Sequence, residues 1–186
     1  ELKIFQVKVK KPADAIAPIR AELTQENGTV LRGQVPTGIK LPPQPKVEGI
    51  ITEAEDFVNQ TGGKVVIRTD KIGMHKKCFS HWDKKGHELS WNLNVPKDGK
   101  YQLLLRYAAT DDAGREVTLN GEPLGVFELP SSGGFGDSST DWLSYTLERN
   151  NGKLVFPLKA GQAKLKIRNA DGTSLNLDYI QLIPAN

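Results

Sequence analysis

Between Gly86 and Ala108 the chain reads GHELSWNLNVPKDGKYQLLLRYA, and its apolar positions alternate with polar ones. Leu89, Trp91, Leu93 and Val95 are interleaved with Glu88, Ser90, Asn92 and Asn94. Successive side chains of a strand point to opposite faces, so this pattern buries one face and wets the other. Pro96-Lys97-Asp98-Gly99 is a turn signal, after which Tyr101, Leu103, Leu105 and Tyr107 resume the alternation. The pattern predicts two strands joined as an antiparallel hairpin. A single amphipathic helix is excluded by Pro96 and Gly99 in mid-run.

The same reading extends in both directions. Leu2 to Lys10 and Val30 to Val35 are strand-like, and Pro12 to Leu23 could hold a short helix interrupted by Pro18. Leu41 to Gly49, LPPQPKVEG, has the composition of a stiff extended linker. It sets the expected boundary between residues 1–48, an N-terminal strand and linker appendage, and a module spanning 49–186. Within that module, strands are predicted at Ile51 to Val58, Lys64 to Arg68 and Cys78 to Trp82, ahead of the central pair. Arg115 to Leu119 and Leu124 to Leu129 follow, joined by the tight-turn pair Asn120-Gly121. Beyond the polar loop Ser131 to Asp141 come Trp142 to Leu147, Leu154 to Leu158, Ala163 to Arg168 and Leu175 to Ile183. Many short strands at this spacing predict an all-β jelly-roll sandwich.

Composition narrows the picture. Eighteen glycines and eleven prolines in 186 residues suit a turn-rich β protein with room for a sizeable core. A net charge of +3 is too small to indicate nucleic-acid binding. No apolar run is long enough to span a membrane, and no signal peptide is recognisable, as in a processed secreted chain or an excised module. The lone Cys78 excludes an internal disulfide.

Several residues could carry chemistry. Glu53 and Glu55 lie two apart on a predicted strand, and Asp178 lies on the last one, which in a jelly roll can pair with the first. Three gathered carboxylates repel unless a cation sits among them, and calcium takes such oxygen ligands in loose geometry. The alternative is an exposed acidic face. A glycosidase pair would need two carboxyl groups about 5–9 Å apart across a sugar-sized cleft, and a strand in the body of the module does not offer one. His75, Cys78 and His81 resemble a metal-ligand spacing, but on a strand Cys78 points away from the two histidines. No second cluster completes a shell. Lys71, Lys76, Lys77, Lys84 and Lys85, against Asp83 alone, form a basic stretch that is either a solvated face or a preference for a ligand carrying carboxylate or sulfate groups.

Six segments in order resemble the carbohydrate-binding modules of the β-sandwich group that includes families 6 and 35. They are ITEAEDF from Ile51, the Gly86 to Ala108 segment, VTLNGEPLG from Val117, Asp141-Trp142, FPLKAGQAKLKI from Phe156, and LNLDYIQL from Leu175. The resemblance covers residues 51–183. It implies a structural calcium held by Glu53, Glu55 and Asp178. It also implies a stacking tryptophan at Trp142, a polar sugar contact at Asn176, and an opposite aromatic wall at Trp82. Flat rings suit the C–H face of a pyranose, and an amide offers both a donor and an acceptor to hydroxyls. Trp91 is expected in the core. The expected function is non-catalytic, calcium-stabilised glycan binding by a secreted, periplasmic or cell-surface module that acts with a glycan-degrading enzyme. The alternative is a structural or protein-interaction sandwich with no sugar site.

Overall fold

The structure, a computed structural model, describes residues 19–24, 30–35 and 49–185. The chain divides into two units, Glu1–Lys46 and Val47–Asn186. In the first, β1 (Ile19–Thr24) and β2 (Val30–Val35) pair antiparallel, with Ile19 opposite Val35 and Thr24 opposite Val30. The β1 segment overlaps the stretch in which a short helix was conceivable; it is extended. The strand expected at Leu2 to Lys10 and most of the Pro-rich stretch lie outside the described residues.

The second unit is a sandwich of two antiparallel sheets. Its strands are β3 (Ile50–Glu53), β4 (Asn59–Thr61), β5 (Val66–Arg68), β6 (Cys78–Ser80), β7 (Glu88–Val95), β8 (Gly99–Ala108) and β9 (Ala113–Leu119). They continue as β10 (Glu122–Leu129), β11 (Leu143–Thr146), β12 (Glu148–Arg149), β13 (Gly152–Lys153), β14 (Phe156–Leu158), β15 (Gly161–Asn169) and β16 (Asn176–Ala185). One sheet has the order β10-β9-β15-β7-β4. The other has the order β11-β8-β16-β6-β5, with β14 also on β8 and β3 on β16. First and last strands of the unit therefore pair, Glu53 opposite Tyr179.

The predicted hairpin of β7 and β8 is corrected by this topology. β7 pairs with β15 and β4, whereas β8 pairs with β16, β11 and β14 in the opposite sheet. Alternation specifies which face of a strand is buried and leaves its neighbour open, and both sheets of a sandwich bury an alternating face. Residues 96–98 instead carry the chain from one sheet to the other. Residues 159–160 make the reverse crossing beside them, and Asp98 ties the two together by accepting from Lys159 Nζ and Ala160 N, each at 2.8 Å. The hairpin expected at Asn120-Gly121 is present. Leu119 faces Glu122, and Asn120 and Gly121 take φ of 52° and 86°, the left-handed pair that matches strand twist.

The core lies between the sheets. Leu89, Trp91, Leu93 and Val95 enter from β7, and Tyr101, Leu103, Leu105 and Tyr107 from β8, all buried. Phe79 on β6 packs edge-on to Trp82 at 5.6 Å and stacks with Trp91 at 6.5 Å. The Trp91 indole N–H donates to the Ala54 carbonyl at 3.0 Å, so the buried ring leaves no orphan donor.

Candidate functional site

A cleft of about 270 Å³ opens among the loops that flank the start of β16. One side is formed by Arg68 at the end of β5 and Lys71 just beyond it; another by Ser80 at the end of β6 and His81 and Asp83 after it. Phe135 and Asp137, from the polar loop, and Ser174 and Asn176 complete it.

The polar loop owes its shape to Asp141. One carboxylate oxygen accepts the backbone N–H groups of Gly136, Asp137 and Ser138 at 3.1, 2.9 and 3.0 Å. Charge-assisted bonds of this kind are the strong ones. Trp142 anchors the loop from below. Its indole N–H donates to the Ile72 carbonyl at 2.8 Å, and the Ile72 N–H donates to the Gly136 carbonyl at 2.8 Å. Gly136 has φ of +80°, and a β-carbon there would lie 2.6 Å from the Trp142 ring. Only glycine lets the loop close this tightly on the indole. The Arg106 guanidinium sits 5.1 Å from the ring centroid of Trp142 and 5.7 Å from that of Tyr179. Lys71, its side chain only 9% exposed, reaches across to Asp137 at 2.7 Å.

Trp142 is therefore half-buried beneath the loop, outside the cleft lining, while Phe135 on that loop lines the cleft. Asn176 does line it, and its amide donates to the Phe135 carbonyl at 2.7 Å, fixing where the loop presents that ring. Phe135 was missed in the sequence because it stands alone among glycines and serines, with no periodicity to mark it. Its place between Gly134 and Gly136 was the available signal, since an apolar ring in a polar loop needs a reason.

The expected aromatic wall at Trp82 is corrected. Trp82 is fully buried, its indole N–H donating to the His87 carbonyl at 3.0 Å. The buried Arg115 guanidinium lies 4.5 Å from its ring centroid and donates to the Trp82 and Thr173 carbonyls. Desolvation pushes the Arg115 pKa down from its usual value. The flanking His81 and Asp83 are exposed and line the cleft, with His81 at φ of 63° turning the chain there.

The calcium expectation at Glu53, Glu55 and Asp178 is also corrected. Among the described residues, no group of three or more His, Cys, Asp or Glu side chains could hold a metal ion. The strand ends at Glu53, and Ala54–Asp56 forms a 3-10 turn, so Glu55 does not share the strand geometry assumed for the pair. Side-chain cations compensate the other two carboxylates. Glu53 accepts from His75 Nδ1 at 3.0 Å and Lys76 Nζ at 2.9 Å. Asp178, buried, accepts from the His75 backbone N–H at 2.9 Å and from Arg106. Burial pushes the Asp178 carboxyl up, against those two donors. These residues do not fit a calcium site.

His75 on Glu53 and His81 on the Ser80 hydroxyl diverge, and burial pushes the Cys78 thiol up to about 12. The lysines of the basic stretch diverge as well: Lys71 is paired with Asp137 in the cleft, and Lys76 with Glu53 outside its lining.

The fold is an all-β sandwich that resembles carbohydrate-binding modules of families 6 and 35. A family 35 module from Clostridium thermocellum superposes with a TM-score of 0.58 at 22% identity, covering 74% of this chain and 98% of that one. A family 6 module of Cellvibrio mixtus lichenase 5A, in complex with cellotriose, gives 0.53 at 25% identity, with coverage of 74% and 98%. The Podospora anserina GH26-CBM35 β-(1,4)-mannanase gives 0.57 at 26%, covering 74% of this chain and 28% of that one. The family profile described as delta endotoxin (Endotoxin_C) matches residues 59–186, and the chain belongs to that family. No curated protein matches the chain in sequence. No described helix is long and apolar enough to cross a membrane.

Proposed function

We propose that the chain binds carbohydrate in the cleft beside β16, and that it acts outside the cytoplasm to hold an attached or partner enzyme near a polysaccharide. The observation that carries this is the cleft lining: one aromatic ring, Phe135, among hydroxyl, amide, imidazole, carboxylate, guanidinium and ammonium groups. A pyranose needs an apolar surface for its C–H face and a fan of donors and acceptors for its hydroxyls. In this reading Phe135 is the stacking surface and Asn176 a polar contact. Trp142 serves as the pedestal that holds the loop, in place of the stacking role implied by resemblance. The solved relatives lend support, one being a module in complex with cellotriose and another part of a mannanase.

The test is a glycan array followed by calorimetry on the binders. Phe135→Ala is expected to lower affinity about tenfold or more, because a few anchors dominate binding energy, with the melting temperature nearly unchanged. Absence of binding to any glycan would return the chain to the structural or protein-interaction alternative.

A further inference from the structure

We infer that the cleft selects uncharged and amino-bearing sugars over acidic ones, through the carboxylate of Asp83. This rests on the carbohydrate reading and names the ligand class of the same site. The basic stretch by itself left open a solvated face or the opposite preference, but each of the two cations lining the cleft is already paired with a carboxylate. Arg68 donates through Nε and Nη2 to both oxygens of Asp70, at 2.8 and 2.6 Å. Lys71 donates to Asp137 at 2.7 Å, and its buried stem holds the ammonium in that place. Neither can meet a ligand carboxylate without sharing or giving up a short ion pair.

Asp83 is the converse. It is exposed, lines the cleft, and has no hydrogen-bond or ion-pair partner among the described residues. Lys84 and Lys85 follow it in sequence but do not line the cleft. An unpaired carboxylate accepts hydroxyl donors readily, attracts an ammonium, and repels a second carboxylate. Asp137 adds an acceptor oxygen to the lining, since Lys71 takes only one of its two. A cleft that offers acceptors with unspent capacity and cations already paired suits a polyol or a 2-amino sugar, and penalises a uronate.

The experiment takes the neutral oligosaccharide that binds in an array and compares it with its 2-amino and uronate counterparts of the same linkage and length. At low salt the amino form is expected to bind roughly threefold to tenfold more tightly than the neutral one, and the uronate more weakly by a similar factor. Both gaps should narrow as ionic strength rises, because the Debye length falls from about 30 Å at 0.01 M to about 8 Å at physiological salt. Asp83→Asn should bring the three ligands close together with an unchanged melting temperature. Asp137→Asn, which releases Lys71, should shift preference toward the uronate. A uronate that binds as well as or better than the neutral form in the unmodified protein overturns the inference and leaves sugar binding intact. Failure of every neutral glycan to bind overturns the carbohydrate reading itself.

Discussion

The indole nitrogen of Trp142 lies 2.8 Å from the carbonyl oxygen of Ile72, 70 residues earlier in the chain. That bond joins the loop after β5 to the loop before β11, alongside the Ile72 N–H on the Gly136 carbonyl and Lys71 on Asp137. Trp142 thus lies beneath the loop and outside the cleft lining.

Removing this bond while keeping a ring should loosen the loop more than the fold. Trp142→Phe is expected to weaken glycan binding several-fold and cost about 1 kcal/mol of stability, the usual net worth of one hydrogen bond. Trp142→Ala should cost about 2–3 kcal/mol, because a half-buried ring is lost as well. Calorimetric titration and thermal unfolding of the two variants check both. Equal affinity for Trp142→Phe and the parent protein would separate the loop latch from the site.

Trp82 and Phe135 should respond in opposite ways. Trp82→Ala opens a cavity under the buried Arg115 guanidinium and is expected to cost about 3–5 kcal/mol, enough to threaten folding. Phe135→Ala should leave thermal unfolding nearly unchanged. Denaturant curves of the pair, measured side by side, test the assignment of one ring to the core and the other to the cleft.

The ion pair of Arg106 with Asp178 should make the fold indifferent to chelators. EDTA is expected to leave the melting temperature unchanged, and added calcium to do the same. Arg106→Met leaves the buried Asp178 carboxylate without its cation and should destabilise by about 3–5 kcal/mol. The double variant Arg106→Met, Asp178→Asn should recover much of that loss, since removing both charges is far less costly than removing one. A melting temperature that falls in chelator would count against the present description of these carboxylates.

Cys78 should be inert in the folded protein. The thiol is fully buried and pushed up to about 12 by burial, with Asp178 adding to the shift. The thiolate is the reactive form, so native protein at pH 8 is expected to resist a thiol reagent until denaturant is added. Rapid labelling under native conditions would contradict the burial of β6.

The alternation of apolar residues determined the fold class. Leu89 to Val95, Tyr101 to Tyr107 and Ala163 to Ile167 each bury one face, and period two encodes that without reference to any partner. The Asn120-Gly121 turn was equally legible, because φ > 0 at two consecutive residues is a local demand that those residue types meet. Asn176, named through a resemblance and not by any local signal, lines the candidate cleft.

What tertiary structure alone decided concerns partners. Whether β7 pairs with β8 or with β15 depends on residues 161–168, some 70 positions away, and a pattern of burial is silent about its neighbour. Whether Glu53 and Asp178 meet a metal ion or a cation of the chain depended on where His75, Lys76 and Arg106 fell. Coulomb energy depends on distance in space, which sequence spacing does not report across three strands. The three tryptophans look alike as letters. Trp91 and Trp82 were drawn into the core, and Trp142 stopped beneath a loop, because a ring's burial is settled by what packs on both of its faces.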